Sequence, residues 1–257
     1  MTWNTVKLIA MVCMAIDHID KTVSLTTVFG NIIEMSPAVE FALSDIITFV
    51  GRISFPIYAY GIAQGCVYTR NLKRYIFRLL GFALVSEIPY QLAFNDLSEL
   101  QFGLTNVLFT LSTGALCCGI IAYFKQKGKN WIFIFPTIII LLFSEIVGMN
   151  YGAIGVLSIV VTYCFYGNRK KRFLALGTAM VFFYVFTAKF MGFSVPLQWM
   201  RSLREFKVMI VQVLGALTGV LIVTIYNEKQ GKKQGKFLYY IFYPTHLLLL
   251  HFVAMDM

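Results

Sequence analysis

The chain has 257 residues, of which 58% are hydrophobic and only 13% charged. A soluble domain carries about 45–50% apolar and about 25% charged residues, so with a mean hydropathy of +0.73 the composition excludes an ordinary soluble enzyme and indicates an integral membrane protein. The net charge of +10 does not imply nucleic acid, because the lysines and arginines stand in short clusters between apolar runs, as cytoplasmic loops do.

A spanning helix needs about 20 mostly apolar residues. Nine segments approach this: 6–25, 44–69, 75–95, 103–124, 131–148, 151–167, 173–191, 208–226 and 237–255. The expected fold is an all-α membrane protein, a polytopic bundle of about nine transmembrane helices in one domain covering 1–257. Stretches 22–43 and 192–207 are candidates for interfacial or re-entrant helices. The first run carries Lys7 in front but no small-residue cleavage site behind it, so it is expected to stay as a helix. The fifth and sixth segments are divided only by Gly148-Met149-Asn150 and should form a tight hairpin.

Charge sets the expected orientation. Arg70, Lys73, Arg74 and Arg78 follow the second segment, Lys125, Lys127 and Lys129 the fourth, Arg169 to Arg172 the sixth, and Lys229, Lys232, Lys233 and Lys236 the eighth. By parity these loops share one side, and the positive-inside rule makes that side the cytoplasm. The opposite loops carry Glu34, Glu40, Asp96 and Glu99. The N-terminus is thus expected inside a plasma membrane and the C-terminus outside. Lys189, Arg201, Arg204 and Lys207 break the pattern on the outer side: either a segment does not span, or these cations meet something anionic.

The polar residues within the apolar runs fall at similar depths. At 1.5 Å per residue, His18 lies ~16 Å past Lys7, Glu87 ~16 Å past Ile76, and His246 ~14 Å past Phe237. Arg52 and the pair Asn106 and Thr110 belong to the outer parts of their segments. Ionisable groups in a bilayer interior are expensive, so such a set is a functional-site hypothesis by default. Asp17 and His18 are adjacent and do not face each other on a helix. Asp17 is expected to pair with Lys21 at i+4 or with Arg52, leaving Glu87 as the candidate orienter of His18. His18, whose side chain when free titrates near neutrality, is the candidate general base, and His246 a second base or orienter. Each charge also has a plain structural reading, as an ion pair tying helices together. Gly51, Gly61 and Gly65 suit close helix contact, and Pro56 and Pro89 are expected to break their helices. The five cysteines sit in apolar runs without metal spacing, and no metal site is expected.

Ile16-Asp17-His18, Gly51-Arg52-Ile53-Ser54-Phe55-Pro56, Ser86-Glu87-Ile88-Pro89-Tyr90, Asn106-Val107-Leu108-Phe109-Thr110, Tyr151-Gly152 and Tyr243-Pro244-Thr245-His246, in that order and spacing, resemble the TraX family of membrane proteins, named from a conjugal-transfer acetylase of the pilin N-terminus. The family is similar in turn to multi-spanning acyltransferases that use acetyl-CoA. The resemblance implies an acetyltransferase with acetyl-CoA as co-substrate, reached from the cytoplasm, and an amine, hydroxyl or peptide acceptor. It implies His18 as base, with Asp17, Glu87, Arg52, Asn106 and His246 in the site. In that chemistry Asn106, Thr110 or Arg52 would serve as oxyanion donors. The rival expectation is a proton-coupled transporter with Asp17, His18 and Glu87 as relay, against which stands the lack of an evident repeat.

Overall fold

The computed structural model describes residues 1–33, 35–95, 103–129, 131–186, 203–229, 231 and 238–255. Among them there is no strand, and eleven helices follow in order: α1 Trp3–Val23, α2 Leu25–Ile32, α3 Pro37–Arg52, α4 Ser54–Tyr68, α5 Leu72–Phe94, α6 Val107–Gln126, α7 Ile134–Ile146, α8 Gly152–Cys164, α9 Arg169–Phe186, α10 Leu203–Thr224 and α11 Leu238–Met255. Five helical runs of the described residues are long and apolar enough to cross a membrane: Pro37–Tyr68, Leu72–Phe94, Val107–Gln126, Leu203–Thr224 and Leu238–Met255. With the shorter apolar α7 and α8, and with α1 and α9, they match the nine segments read from the sequence.

The bundle turns its greasiest faces outward. On α5, Phe77, Leu80, Leu84, Val85 and Ile88 form an exposed stripe at helical spacing. On α7, Phe135, Ile138, Ile139, Leu142 and Ile146 do the same. Contiguous apolar surface of this extent is not left to water; it is the lipid-facing side of a multi-pass membrane protein. At the centre stands α4, packed on α1, α6, α8 and α10, with Phe55, Ile57, Ala59, Tyr60 and Ala63 almost wholly buried.

The second segment is longer and less regular than expected. It begins at Pro37, a favourable first-turn position for proline, and is interrupted at Ile53, whose N–H reaches back to the Val50 carbonyl at 3.2 Å. Pro56 causes this from three residues downstream, because it has no N–H to offer the Arg52 carbonyl. Pro89, by contrast, is accommodated inside a continuous α5, so only one of the two expected breaks exists. α10 covers the interruption. An added Cβ at Gly215 or Gly219 would run into the backbone carbonyls of Phe49 and Ile53 respectively. This is the small-xxx-small device that lets two membrane helices touch through their backbones, and it falls at glycines the sequence reading passed over. Of the three glycines it singled out, Gly51 faces Asp17, Gly61 faces Trp3 and Gly65 faces Tyr75.

The α7–α8 hairpin is as tight as expected. Gly148 and Gly152 take positive φ angles of 70° and 49°. The Glu145 carboxylate accepts the Ala153 N–H at 2.9 Å, capping the start of α8.

One end of the bundle gathers the basic loops. The N-terminal amine bonds the Ile225 carbonyl at 3.2 Å, and Arg169 bonds the Thr224 carbonyl at 2.6 Å. Arg172 pairs with Glu228 at 2.8 Å against the rings of Tyr60 and Tyr166. Arg78 lies over Tyr240 at the start of α11. At the opposite end, Lys207 pairs with Asp45 at 2.7 Å and Arg204 stacks 3.9 Å over Phe41. Of the four cations that break the parity pattern, Lys207 thus meets an anion, as one of the two sequence alternatives had it, but an anion of the fold itself, and Arg204 meets an aromatic ring. Lys189, Arg201 and the stretch 192–202 lie outside the described residues, as do Glu34, Asp96, Glu99, Lys232, Lys233 and Lys236. Stretch 22–43 does add a helix, α2, and the first turns of α3.

Candidate functional site

His18 occupies the fifth turn of α1, ~22 Å along the helix from Trp3 at 1.5 Å per residue. The helix starts four residues before Lys7, so the ring sits further toward the α2 end than the sequence estimate placed it. Its Nδ1 lies 2.8 Å from Nε2 of His246 on α11, with the two rings nearly parallel at 5°. His246 Nδ1 lies 2.8 Å from the Phe242 carbonyl one turn earlier. Both histidines are 8% exposed.

The tautomers follow from the one group in this chain whose role is fixed. A carbonyl oxygen only accepts, so His246 Nδ1 carries hydrogen and donates to Phe242. Neutral His246 then has a bare Nε2. That nitrogen accepts from His18 Nδ1–H, which leaves the lone pair of neutral His18 on Nε2. Among the described residues Nε2 has no hydrogen-bond partner, and His18 lines a cavity of about 60 Å³. The result is an oriented base at the edge of a small chamber, held by a second imidazole and a backbone carbonyl. The expectation that Glu87 orients His18 is corrected: His246 does so.

Glu87 is committed elsewhere. Its Oε1 accepts from the Thr105 hydroxyl at 2.6 Å, Gln91 Nε2 at 3.0 Å and the Thr105 N–H at 3.3 Å. Its Oε2 accepts from Asn106 Nδ2 at 2.5 Å and the Asn106 N–H at 3.2 Å. Apart from Gln91, one turn along α5, these donors lie at the start of α6, where free N–H groups and the helix dipole favour an anion. Asn106 is the N-cap: its Oδ1 accepts from the Leu108 N–H at 3.0 Å, and Nδ2 also reaches the Ala83 carbonyl at 2.9 Å. Its amide is fully engaged and the residue wholly buried. Thr110, also wholly buried, accepts from the Tyr151 N–H at 3.5 Å. Asn106, Thr110 and Glu87 therefore build the walls behind the chamber, and none of the three lines it.

Asp17 makes both of its expected pairs. Lys21 Nζ is 2.6 Å from Oδ2 and Arg52 Nη2 is 3.4 Å from Oδ1. Arg52 stands at the last residue of α3, beside the phenols of Tyr151 and Tyr184, and among the described residues its Nε has no partner. Asp17 and Lys21 line the chamber; Arg52 backs Asp17 from behind. The structure thus brings His18, Asp17, Arg52 and His246 together and sets Glu87, Asn106 and Thr110 one layer away.

The rest of the chamber wall was not read from the sequence. Met14, Ser54, Phe55, Tyr58, Tyr90, Phe94, Val107, Asn150, Tyr151 and Tyr243 close it. Asn150 Nδ2 donates to the Tyr90 hydroxyl at 3.0 Å, and Phe55 stacks on Tyr151 with ring centroids 3.6 Å apart. The signal was present: Tyr90 and Tyr243 each neighbour a membrane proline, and Asn150-Tyr151 form the hairpin turn. A larger cavity of about 390 Å³ lies between α2, α3 and the start of α10, lined by Thr26, Thr27, Gly30, Glu40, Phe41, Ser44 and Arg204. It contains none of the residues around His18.

The chain is 28% identical over 218 residues to the probable fimbrial assembly protein FimC, serogroup H1, of Dichelobacter nodosus, covering 80% of this chain and 82% of that protein. No solved structure is significantly similar. A sequence profile described as TraX protein matches residues 2–254, essentially the whole bundle with the chamber inside it, and the chain belongs to the TraX family.

Proposed function

We propose that this protein is a membrane acetyltransferase that moves an acetyl group from acetyl-CoA to an amine or hydroxyl acceptor, with His18 as general base. The observation that supports it most is the hydrogen-bond chain from the Phe242 carbonyl through His246 to His18, which leaves His18 Nε2 bare at a buried chamber. A positioned general base of this kind contributes typically 10²–10⁴-fold.

The acceptor's N–H or O–H is taken up by His18 Nε2 as its nitrogen or oxygen attacks the thioester carbonyl. The carbonyl becomes a tetrahedral oxyanion, then reforms as the C–S bond breaks. The proton on His18 leaves with the CoA thiolate, and the imidazole pair returns to its starting state. The chamber of about 60 Å³ has the volume of about two waters, which suits a two-carbon acyl group. Its mostly apolar and aromatic walls limit the water that can reach the thioester.

The basic end of the bundle, with Arg70, Arg74 and Arg169 exposed, faces the cytoplasm in this reading and is the side from which acetyl-CoA arrives. The family's pilin acetylase and the fimbrial name of the relative make the N-terminal amine of a pilus or fimbrial subunit the first acceptor to test. A transporter relay through Asp17, His18 and Glu87 fits the geometry less well, because the Glu87 carboxylate is taken up by the start of α6 and not by His18.

The test is purified protein in detergent with ¹⁴C-acetyl-CoA and synthetic peptides bearing a free N-terminal amine, alongside their N-blocked counterparts. Label on the free-amine peptides, abolished by His18→Ala, is expected. Neither CoA release nor labelled acceptor across amines, hydroxyls and peptides would remove the reading.

A further inference from the structure

We infer that Tyr243 is a catalytic residue of the chamber, supplying through its hydroxyl the hydrogen bond that holds the oxyanion of the transferred acyl group; this rests on the acyl-transfer reading above. The sequence reading assigned that task to Asn106, Thr110 or Arg52. The structure spends Asn106 on Glu87, Ala83 and Leu108, spends Thr110 on the Tyr151 amide, and sets Arg52 behind Asp17. An acyl carbonyl in the chamber would meet none of the three.

Tyr243 is placed differently. It lines the chamber with His18. It is 3% exposed; the Val107 N–H is directed at its hydroxyl oxygen, and among the described residues no acceptor takes the hydroxyl's own hydrogen. Buried polar groups nearly always satisfy their hydrogen-bonding capacity, and an O–H with no acceptor calls for an explanation. The phenol stands edge-on to both histidines, with ring centroids 6.0 Å from His18 and 5.6 Å from His246. It is thus on the same side of the chamber as the base, one side chain away.

The surroundings of the hydroxyl suit a developing negative charge. The Val107 N–H, at the first position of the 20-residue α6, and the Tyr90 phenol lie beside it. The Val107 N–H belongs to the first turn of α6, whose amides have no partner inside the helix. Tyr90 accepts from Asn150, so its own O–H is free to donate. Glu87 lies near, but both its oxygens are held by donors of Thr105, Asn106 and Gln91. An idle buried donor next to a base is what preorganised oxyanion stabilisation requires: it is in place before the charge appears and needs no reorientation.

His246 and Tyr243 are three residues apart on α11, so one helix face presents both the support of the base and the oxyanion donor. The two act on different atoms: His246 fixes where His18 accepts the proton, and Tyr243 holds the carbonyl oxygen of the same acetyl group.

The test is Tyr243→Phe against wild type, with free CoA measured from acetyl-CoA over the same panel of amines, hydroxyls and peptides. Removing one well-placed oxyanion donor lowers kcat about 10²–10³-fold, and KM for acetyl-CoA is expected to stay within about threefold, since the ground-state thioester carbonyl is a weak acceptor. Elution in detergent is expected to match wild type and the melting temperature to fall by no more than the loss of one acceptor for the Val107 N–H allows, because among the described residues the hydroxyl donates to nothing. Replacement of Tyr243 by 3-fluorotyrosine, a stronger donor of the same shape, is expected to keep or raise kcat. A Tyr243→Phe enzyme with wild-type kcat overturns this proposal and leaves the acetyltransferase intact. A kcat loss that 3-fluorotyrosine does not prevent also overturns it. Wild-type protein that consumes no acetyl-CoA under any condition overturns both.

Discussion

Replacing His246 by Phe tests the imidazole pair most directly. The change keeps ring volume and removes the acceptor that lies 2.8 Å from His18 Nδ1. Two outcomes compete inside a site where both rings are 8% exposed. In one, His18 keeps its tautomer and buries an unpaired Nδ1–H, at about 1–3 kcal/mol. In the other, the proton moves to Nε2, which sits at the chamber and costs less there, but a protonated Nε2 is no longer a base. The second is the cheaper, so kcat is expected to fall about 10²–10⁴-fold, the contribution of the general base, equivalent to about 3–5 kcal/mol of barrier at 1.36 kcal/mol per decade.

His246→Gln is expected to recover part of the loss, because its amide oxygen can accept from His18. The assay is steady-state acetyl-CoA turnover in detergent or nanodiscs, with ¹⁵N chemical shifts of the histidine rings reporting the tautomer directly. Residues that act as a unit give grossly non-additive losses. His18→Ala combined with His246→Phe should therefore be no slower than His18→Ala alone. Multiplying losses in the double variant, or full kcat in His246→Phe, would show that the two rings merely touch.

Glu87→Ala strips the acceptor from donors on Thr105, Asn106 and Gln91; a loss of about 3–5 kcal/mol is expected, as for removing one partner of a buried charged network. It is measured by denaturation in detergent, and an unaltered melting temperature with lost turnover would move Glu87 from the scaffold to the chemistry. Gly219→Ala presses a methyl group against the Ile53 carbonyl and should cost about 1–3 kcal/mol while displacing the α3–α4 junction that carries Arg52; wild-type stability would mean that α10 is free to slide. Phe94→Ala opens one wall of the chamber, and the propionyl-CoA to acetyl-CoA rate ratio is expected to rise about 10-fold or more, since one methylene in a tight pocket is worth about 1–3 kcal/mol. An unchanged ratio would mean that the chamber does not set acyl length.

The sequence disclosed what depends on local pattern. Hydropathy located the helices, and the i to i+4 spacing of Asp17 and Lys21 foretold their pair at 2.6 Å. Gly148-Met149-Asn150 marked the hairpin, and among the described residues Arg78, Arg169 and Arg172 of the basic clusters gather at one end, as parity required. It withheld what depends on rotation about each helix axis. Glu87 and His18 were placed at similar depth, yet depth along an axis does not say which way a side chain points. Glu87 turns to α6 and His246 turns to His18. The donors that claim Glu87 include backbone N–H groups of Thr105 and Asn106, and a sequence does not advertise backbone. The same holds for Gly215 and Gly219, whose purpose is set by carbonyls on another segment.

The choice of a histidine to support a histidine fits the solvent in which the site must fold. A carboxylate partner would give a stronger base but would bring a charge to the pair, and at a helix centre a charged residue costs about 2.5–3.5 kcal/mol on insertion scales. The His18–His246 pair is neutral at rest and needs one backbone carbonyl to fix both tautomers. The available carboxylates are instead held where cations or a helix start satisfy them: Asp17 between Lys21 and Arg52, and Glu87 at α6. In the proposed transfer the charge that appears is one imidazolium and one oxyanion, made together within the same chamber and removed together. A neutral relay requires that this pair of charges be short-lived and mutually close, which places the oxyanion donors within reach of His18 itself. Tyr243, edge-on to that ring at 6.0 Å, meets the requirement; a donor on Asn106, a layer away, does not.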